Sequence, residues 1–377
     1  MAAQMNVKNT DPLLLTPGPL TTSSEVKEAM LHDWGSRDPS FIGATKNVRE
    51  TLVKVSGGGN AFTAVPVQGS GTFAVEAMIG TFLPRGNKLL IVVNGAYGHR
   101  IAKICDYMDR PYTVLETPED TPPDIAAVSR TLAEDPDLSH VIVVHCETTS
   151  GILNPIQEIA AAVAAAGRKL LIDAMSAFGA IPLDLSEIPC DAIAASSNKC
   201  FEGVPGLGFV LCRKVALQQT QANAHSLSLD LFDQWHAMEI NGQWRFTPPT
   251  HVVVAFEAAL AAHAREGGVE GRFARYKENC NVLLEGMKAF GFEPLLPKKL
   301  QAPIIVTFKM PSDTNFAFQE FYDRLKEKGY VIYPGKLTVA ESFRMGCIGH
   351  LDADDMRGAL GAVGRTLTEM GVASGAP

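Results

Sequence analysis

From about Ala61 to Arg213, short apolar or β-branched runs alternate with longer stretches in which apolar residues recur at helical spacing. The runs Phe62–Gln68, Lys88–Asn94, His140–His145, Lys169–Asp173, Ala192–Ser196 and Leu207–Arg213 predict strands. Between them, Thr72–Leu83, Arg100–Met108, Asp124–Asp135 and Ile156–Ala166 predict helices. The Ala-rich run Ala160–Ala166 belongs to the last of these, because Ala is the best helix former and packs closely on a sheet. Short strands alternating with longer helical stretches predict a parallel sheet covered by helices. Past about Arg245 the texture changes. Two long helical stretches, His251–Glu266 and Tyr276–Phe290, lead to a strand at Pro303–Lys309, a helix at Phe316–Lys328, strands at Tyr330–Tyr333 and Phe343–Cys347, and a last helix at Ala353–Met370. This order predicts a second, α+β unit.

Length and charge narrow the possibilities. A chain of 377 residues, 46% of them hydrophobic, has enough apolar side chain for a large domain and a smaller one. The formal net charge of −8, with no long Lys/Arg run, lacks the footprint that nucleic acid or an acidic membrane surface requires, so neither is expected as a partner. Residues Met1 to Pro12 are polar, without the basic start and apolar core of a signal peptide, and no run of 18 apolar residues occurs. A cytoplasmic location is expected. The seven cysteines are an odd number, widely spread, with no Cys-x-x-Cys pair and no metal-ligand spacing among the nine histidines. They read as reduced thiols packed as small hydrophobes, Cys200 beside Lys199 included, and no metal is expected.

Three places carry chemistry. Gln68-Gly69-Ser70-Gly71-Thr72 follows a strand and opens a helix, where glycines let the backbone approach an anion and the free N–H groups of the helix start favour phosphate. Ser70 and Thr72 could add hydroxyl donors or simply cap the helix. The segment is neither a full dinucleotide fingerprint nor a P-loop. Asp173 ends the apolar run Leu170-Leu171-Ile172, where a carboxylate needs a partner unless it caps a turn. Lys199 follows another apolar strand, framed by Ser196-Ser197-Asn198 and Gly203-Val204-Pro205-Gly206, although exposure is the usual fate of a lysine. Together they place a phosphate cradle, an acid and an amine on the carboxyl edge of one sheet, where open α/β folds bind ligands. Pyridoxal 5′-phosphate (PLP) needs that set: an amine for a Schiff base, an acid to keep the pyridine nitrogen protonated, and a phosphate anchor.

Several collinear strings give these residues a family context. Leu13-Leu14-Leu15-Thr16-Pro17-Gly18-Pro19-Leu20, Gln68 to Thr72, Asn94-Gly95-Ala96-Tyr97-Gly98, Glu147-Thr148-Thr149-Ser150-Gly151, Asp173-Ala174-Met175-Ser176, Asn198-Lys199-Cys200 and Phe343-Arg344 resemble the class V, fold-type I aminotransferases. The likeness runs from about Leu13 to the last helix and includes Ser226 to Leu231, Trp244-Arg245-Phe246-Thr247 and Tyr333-Pro334-Gly335-Lys336. It implies an α/β fold-type I PLP-dependent transferase: residues 21–250 forming a large domain on a mainly parallel seven-stranded sheet, residues 251–377 a smaller α+β domain, and residues 1–20 contributing to the small domain and the site. It implies that Lys199 forms the Schiff base and shuttles protons, that Asp173 pairs with the pyridinium, that Tyr97 stacks on the ring and that Thr149 bonds the ring hydroxyl. Ser70, Gly71 and Thr72 would hold the phosphate, joined by Thr247 from the other subunit of a homodimer, and Arg344 would clamp the acidic end of the substrate. The bland alternatives are a core aromatic for Tyr97, a turn former for Thr149, a helix cap for Thr247 and a surface charge for Arg344. Within the family the likeness implies transfer of an amino group from 2-aminoethylphosphonate, a small amino donor, to the 2-oxo acid pyruvate. The segment Arg37-Asp38-Pro39 departs from that branch and resembles the alanine:glyoxylate and serine relatives, which leaves the amino donor open. An Asn198 where a histidine precedes the lysine in cysteine desulfurases sets that chemistry aside.

Overall fold

The computed structural model describes residues 11–337 and 340–377; residues 1–10, most of the polar start noted above, lie outside the described residues. Seven strands form the main sheet in the order Phe62–Gln68, Leu207–Arg213, Ala192–Ser196, Lys169–Asp173, Leu138–Val144, Lys88–Val93, Tyr112–Glu116. Leu207–Arg213 runs antiparallel to both neighbours and the other pairings are parallel. The reversal has a simple cause. Residues 197–206 link it to Ala192–Ser196, and a parallel return takes a crossover of about a dozen residues or more. Strand periodicity divides the core between the two faces: Leu90 and Val92 enter one cluster, Leu89, Ile91 and Val93 the other. One face is covered by helices that include Pro39–Val55, Ile156–Ala165 and Thr250–Arg265, the other by Gly71–Phe82 and Ala96–Tyr107.

The expected strands and helices form, with end shifts of a residue or two for most of them. Four differences have physical reasons. The edge strand Tyr112–Glu116 is half exposed along its length, so it shows no apolar run in sequence. Helix Pro39–Val55 was not expected; it starts at Asp38, whose side chain accepts from the Ser40 N–H, with proline in the first turn. The second long helix begins at Gly268 rather than near Tyr276, directly after Gly267 and its φ of 102°. The run expected as one strand at Tyr330–Tyr333 divides between two sheets. Tyr330–Val331 pairs in parallel with Leu13–Leu14, whereas Tyr333–Pro334 pairs with Ser342–Gly346, itself bonded to Ile305–Lys309.

A charged hub joins the turn after Lys199 to the C-terminal elements. Glu202 Oε1 accepts from the Tyr276 hydroxyl at 2.6 Å and from Arg275 Nη2 at 2.6 Å. Arg275 Nη1 donates to the Gly349 and Leu351 carbonyls. Arg272, 1% exposed, pairs with Glu202 at 3.2 Å and Glu266 at 2.7 Å and donates to the Cys200 carbonyl. Arg272→Met keeps the volume but strands a carbonyl and part of two carboxylates. The expected loss is about 3 kcal/mol, and a thermal midpoint within about 1 °C of the parent would refute it.

Candidate active site

The chemistry-bearing residues collect where strands end. Asp173 closes Lys169–Asp173, is 5% exposed, and accepts the Met175 N–H on Oδ1 at 3.0 Å. Burial pushes its carboxyl up to about 6, opposed by that hydrogen bond and by the charges of Arg100 and Lys199. Its Oδ2 has no hydrogen-bond partner among the described residues, so it can accept from an N–H that the chain does not supply.

Lys199 lies three residues beyond Ala192–Ser196 in a tightly tied turn. The Glu202 N–H, on a residue with φ 59°, donates to the Lys199 carbonyl at 2.8 Å, and the Gly203 N–H to the Ser197 carbonyl at 2.8 Å. The Ser197 hydroxyl bonds the Val204 and Leu207 carbonyls. The Lys199 ammonium donates to the Pro17 carbonyl, and a Cβ on Gly18, whose φ is +120°, would lie 2.5 Å from Nζ. The Thr16-Pro17-Gly18-Pro19 string is therefore the cover of the amine, and glycine is the residue that lets it close down. Burial lowers the Lys199 amine to about 8; Asp173 opposes this, while Arg344 and Lys336 reinforce it. Cys200, fully buried and directed at the Ser176 carbonyl, has its thiol pushed up to about 12 by burial. It packs, as expected.

Helix Gly71–Phe82 starts after Ser70, whose hydroxyl makes no capping bond, so the first N–H groups stay available to an anion. A Cβ on Gly71 would lie 2.2 Å from the Met175 sulfur. Thr72 accepts from Arg100 Nη1 at 3.3 Å, which adds a cation to the cradle that sequence reasoning missed.

Glu147 is the second omission. It is fully buried and holds two expected site residues: Oε2 accepts the Tyr97 N–H at 3.0 Å, and Oε1 accepts the Thr149 hydroxyl at 2.8 Å. Burial raises its carboxyl, against the pull of those bonds. A Cβ on Gly95 would lie 2.3 Å from Glu147 Cγ, which fixes glycine there. The available signal was a carboxylate just past the apolar strand Leu138–Val144, the same signal that singled out Asp173.

Arg344, on Ser342–Gly346, is 1% exposed and so not a surface charge. Its Nε donates to the Pro334 carbonyl and its Nη1 to the Thr148 carbonyl, both at 3.0 Å, which anchors the guanidinium and leaves Nη2 without a hydrogen-bond partner among the described residues. Thr247 stands apart: it is exposed and shares a surface cavity with Ser36, Arg37 and Phe246. It does not cap the following helix either, whose N-cap is Pro249. Asp173, Lys199, Tyr97, Thr149, Arg344 and the Gly71–Thr72 turn thus form one site within the chain, and Thr247 does not enter it.

These residues fit PLP. An acid with one oxygen unbonded within the chain could meet the pyridinium, an amine of lowered basicity the aldehyde carbon, and an open helix start backed by Arg100 the phosphate. Residues 29–345 match the family described as Aminotransferase class-V. The chain is 53% identical over 368 residues to a 2-aminoethylphosphonate–pyruvate transaminase of Pseudomonas aeruginosa, covering 98% of this chain and 99% of that one. It is 52% identical over 374 residues to 2-aminoethylphosphonate–pyruvate transaminase 1 of Paraburkholderia xenovorans, covering 99% and 96%. Among solved structures, the fold is shared with the alanine–glyoxylate aminotransferase of a Nostoc species (TM-score 0.88, 22% identity, 95% of each chain). The same holds for the pyridoxamine-pyruvate aminotransferase of Mesorhizobium loti (TM-score 0.87, 23% identity, 97% of this chain and 95% of the other). With likeness over nearly the whole length joined to an amine, an acid and a phosphate cradle at one sheet edge, this chain belongs to the class V aminotransferases.

Proposed function

We propose that this protein uses PLP to transfer the amino group of 2-aminoethylphosphonate to pyruvate, giving phosphonoacetaldehyde and L-alanine. What carries the reading is identity of 52–54% over 96–99% of the chain to transaminases named for that donor and acceptor. When bound, PLP supplies an electron sink for the charge left at the substrate carbon that loses its proton. The chain's own residues do the rest. Lys199, whose amine is lowered to about 8, holds and returns that proton near neutral pH. Asp173 would accept the ring N–H and keep its positive charge, and Tyr97 would cover the ring face. Thr149 gives its hydroxyl hydrogen to Glu147, which leaves its oxygen to accept from the ring hydroxyl. Arg344 holds the anionic end of each substrate in turn. The Pro17-Gly18-Pro19 cover limits water at the amine.

The homodimer belongs to the same reading. Phe73, Leu227 and Phe246 expose 48%, 73% and 50% of their surface close to the cradle and to Thr247, which supports a second copy covering this face and Thr247 serving the partner's phosphate. The large unit of residues 21–250, the small one of 251–377 with the N-terminal segment, and the cytoplasmic location complete the proposal. The separate aromatic core of Phe292, Phe308, Phe321 and Phe343 supports the small unit. No helix among the described residues is long and apolar enough to cross a membrane. A second reading, alanine or serine with glyoxylate, was suggested by Arg37-Asp38-Pro39. In the structure Asp38 and Pro39 start a helix, which favours an architectural part for those two residues, while Arg37 lines the surface cavity with Thr247. A coupled assay that pairs 2-aminoethylphosphonate, alanine and serine with pyruvate and with glyoxylate decides. The phosphonate with pyruvate should give the highest kcat/KM by at least about tenfold, and equal or better rates with alanine or serine and glyoxylate would refute the specific reaction.

A further inference from the structure

The string Tyr333-Pro334-Gly335-Lys336 belongs to the family resemblance, which gives its lysine no role. In the structure Lys336 stands beyond Tyr333–Pro334 with its ammonium 6.0 Å from the centre of the Tyr97 ring. Among the described residues it forms no ion pair. Its surroundings are cationic instead: burial first disfavours its charge, Arg344 and Arg100 add to that, Glu147 opposes them, and Lys336 in turn bears on Lys199. Glu147 is already bonded to the Tyr97 N–H and to the Thr149 hydroxyl and N–H. Arg100 is turned to the cradle by Thr72 and lies beside Asp173. That leaves Arg344 and Lys336, which bear on each other and both on Lys199, as the two cations not turned to the cradle. An unpaired ammonium placed toward like charges is electrostatically unfavourable until an anion joins it, and more so the more charge that anion carries.

The two substrates of the proposed reaction differ in that respect. A carboxylate is planar, singly charged and matched by a guanidinium. A phosphonate is tetrahedral, carries more than one negative charge near neutral pH and presents three oxygens, as a phosphate monoester does. Arg344, with Nε and Nη1 tied to main-chain carbonyls, cannot serve all three. A flexible point charge can take the remaining one. We propose that Lys336 determines specificity for the phosphonate donor, pairing with the phosphonate oxygen that Arg344 does not reach, while pyruvate relies on Arg344. This rests on the phosphonate–pyruvate reading above.

The experiment uses the holoenzyme with two non-reacting anions, ethylphosphonate and propionate, titrated calorimetrically into wild type, Lys336→Met and Lys336→Arg. Ethylphosphonate should lose about tenfold or more in affinity in Lys336→Met and recover most of it in Lys336→Arg, while propionate shifts by about twofold or less. In steady state, Lys336→Met should raise the KM for 2-aminoethylphosphonate by a similar factor, with the KM for pyruvate moving far less. Equal weakening of both anions, or unchanged ethylphosphonate binding, overturns the assignment. If wild type does not turn over 2-aminoethylphosphonate, the reaction proposed above falls, and the anion titration still decides whether Lys336 reads phosphonate.

Discussion

Lys199→Ala should lower turnover by on the order of 10⁴-fold or more, because it removes both the nucleophile that holds the cofactor and the base that moves the proton. The fold should survive. Lys199 forms no ion pair among the described residues, its ammonium is bonded to a single carbonyl, that of Pro17, and the turn around it is held by main-chain bonds at Ser197, Glu202 and Gly203 and by the hub around Glu202. PLP should still bind, weakly, through the helix start at Gly71 and Thr72. Borohydride should attach one pyridoxyl group to wild type at Lys199 and none to the variant, since only an imine is trapped; recovery of the group on another lysine would refute the assignment. An added primary amine that partly restores turnover would confirm that the proton-transfer role is separable from the tether. The amine's value of about 8 sets a further expectation for the cofactor-free protein: its reactivity toward aldehydes should rise with pH through about 8 rather than through the usual lysine range.

Asp173→Asn should lower turnover by roughly 10²-fold or more, the weight of one to three pKa units of support for a neighbouring positive charge. An amide cannot hold the ring nitrogen protonated, and Asp173→Glu should recover part of the loss. The effect on the cofactor-free protein should have the opposite sign. Burial puts the folded carboxyl at about 6, above its unfolded value, so the folded state holds its proton more tightly and loses stability as pH rises from about 4 through 6. The asparagine variant lacks that titration. Without PLP it should be more stable than wild type at pH 8, by up to about 3 kcal/mol, with the gap closing below pH 4. Denaturant midpoints of both proteins at pH 4 and pH 8, with and without PLP, test this. An asparagine variant that is less stable than wild type at pH 8 without cofactor would show Asp173 to be a structural cap.

What the sequence by itself determined follows from short-range rules. Strand and helix periodicity placed six of the seven strands of the main sheet, because buried strands are apolar at nearly every position, and it placed the last helix at Ala353–Met370 to the residue. Asp173 and Lys199 were legible because a charge just past an apolar strand contradicts its neighbours, and such contradictions mark sites. The edge strand Tyr112–Glu116 and helix Pro39–Val55 escaped the periodicity. The first has one half-wet side, and the second opens on Arg37-Asp38-Pro39, a string that resembles a family motif as much as a helix cap.

Tertiary structure alone decided the rest, through contacts between residues far apart in the chain. Nothing local says that Pro17 and Gly18 close over Lys199, that Glu147 holds both Tyr97 and Thr149, or that Arg344 is anchored by Thr148. Nor does it say that Lys336 faces the Tyr97 ring, or that Thr247 stays outside the site of its own chain. Periodicity reports which side of an element is buried; which distant carboxylate or carbonyl meets it depends on how the sheets and helices pack, and so do the shifted acidities of Asp173 and Lys199, which come first from burial.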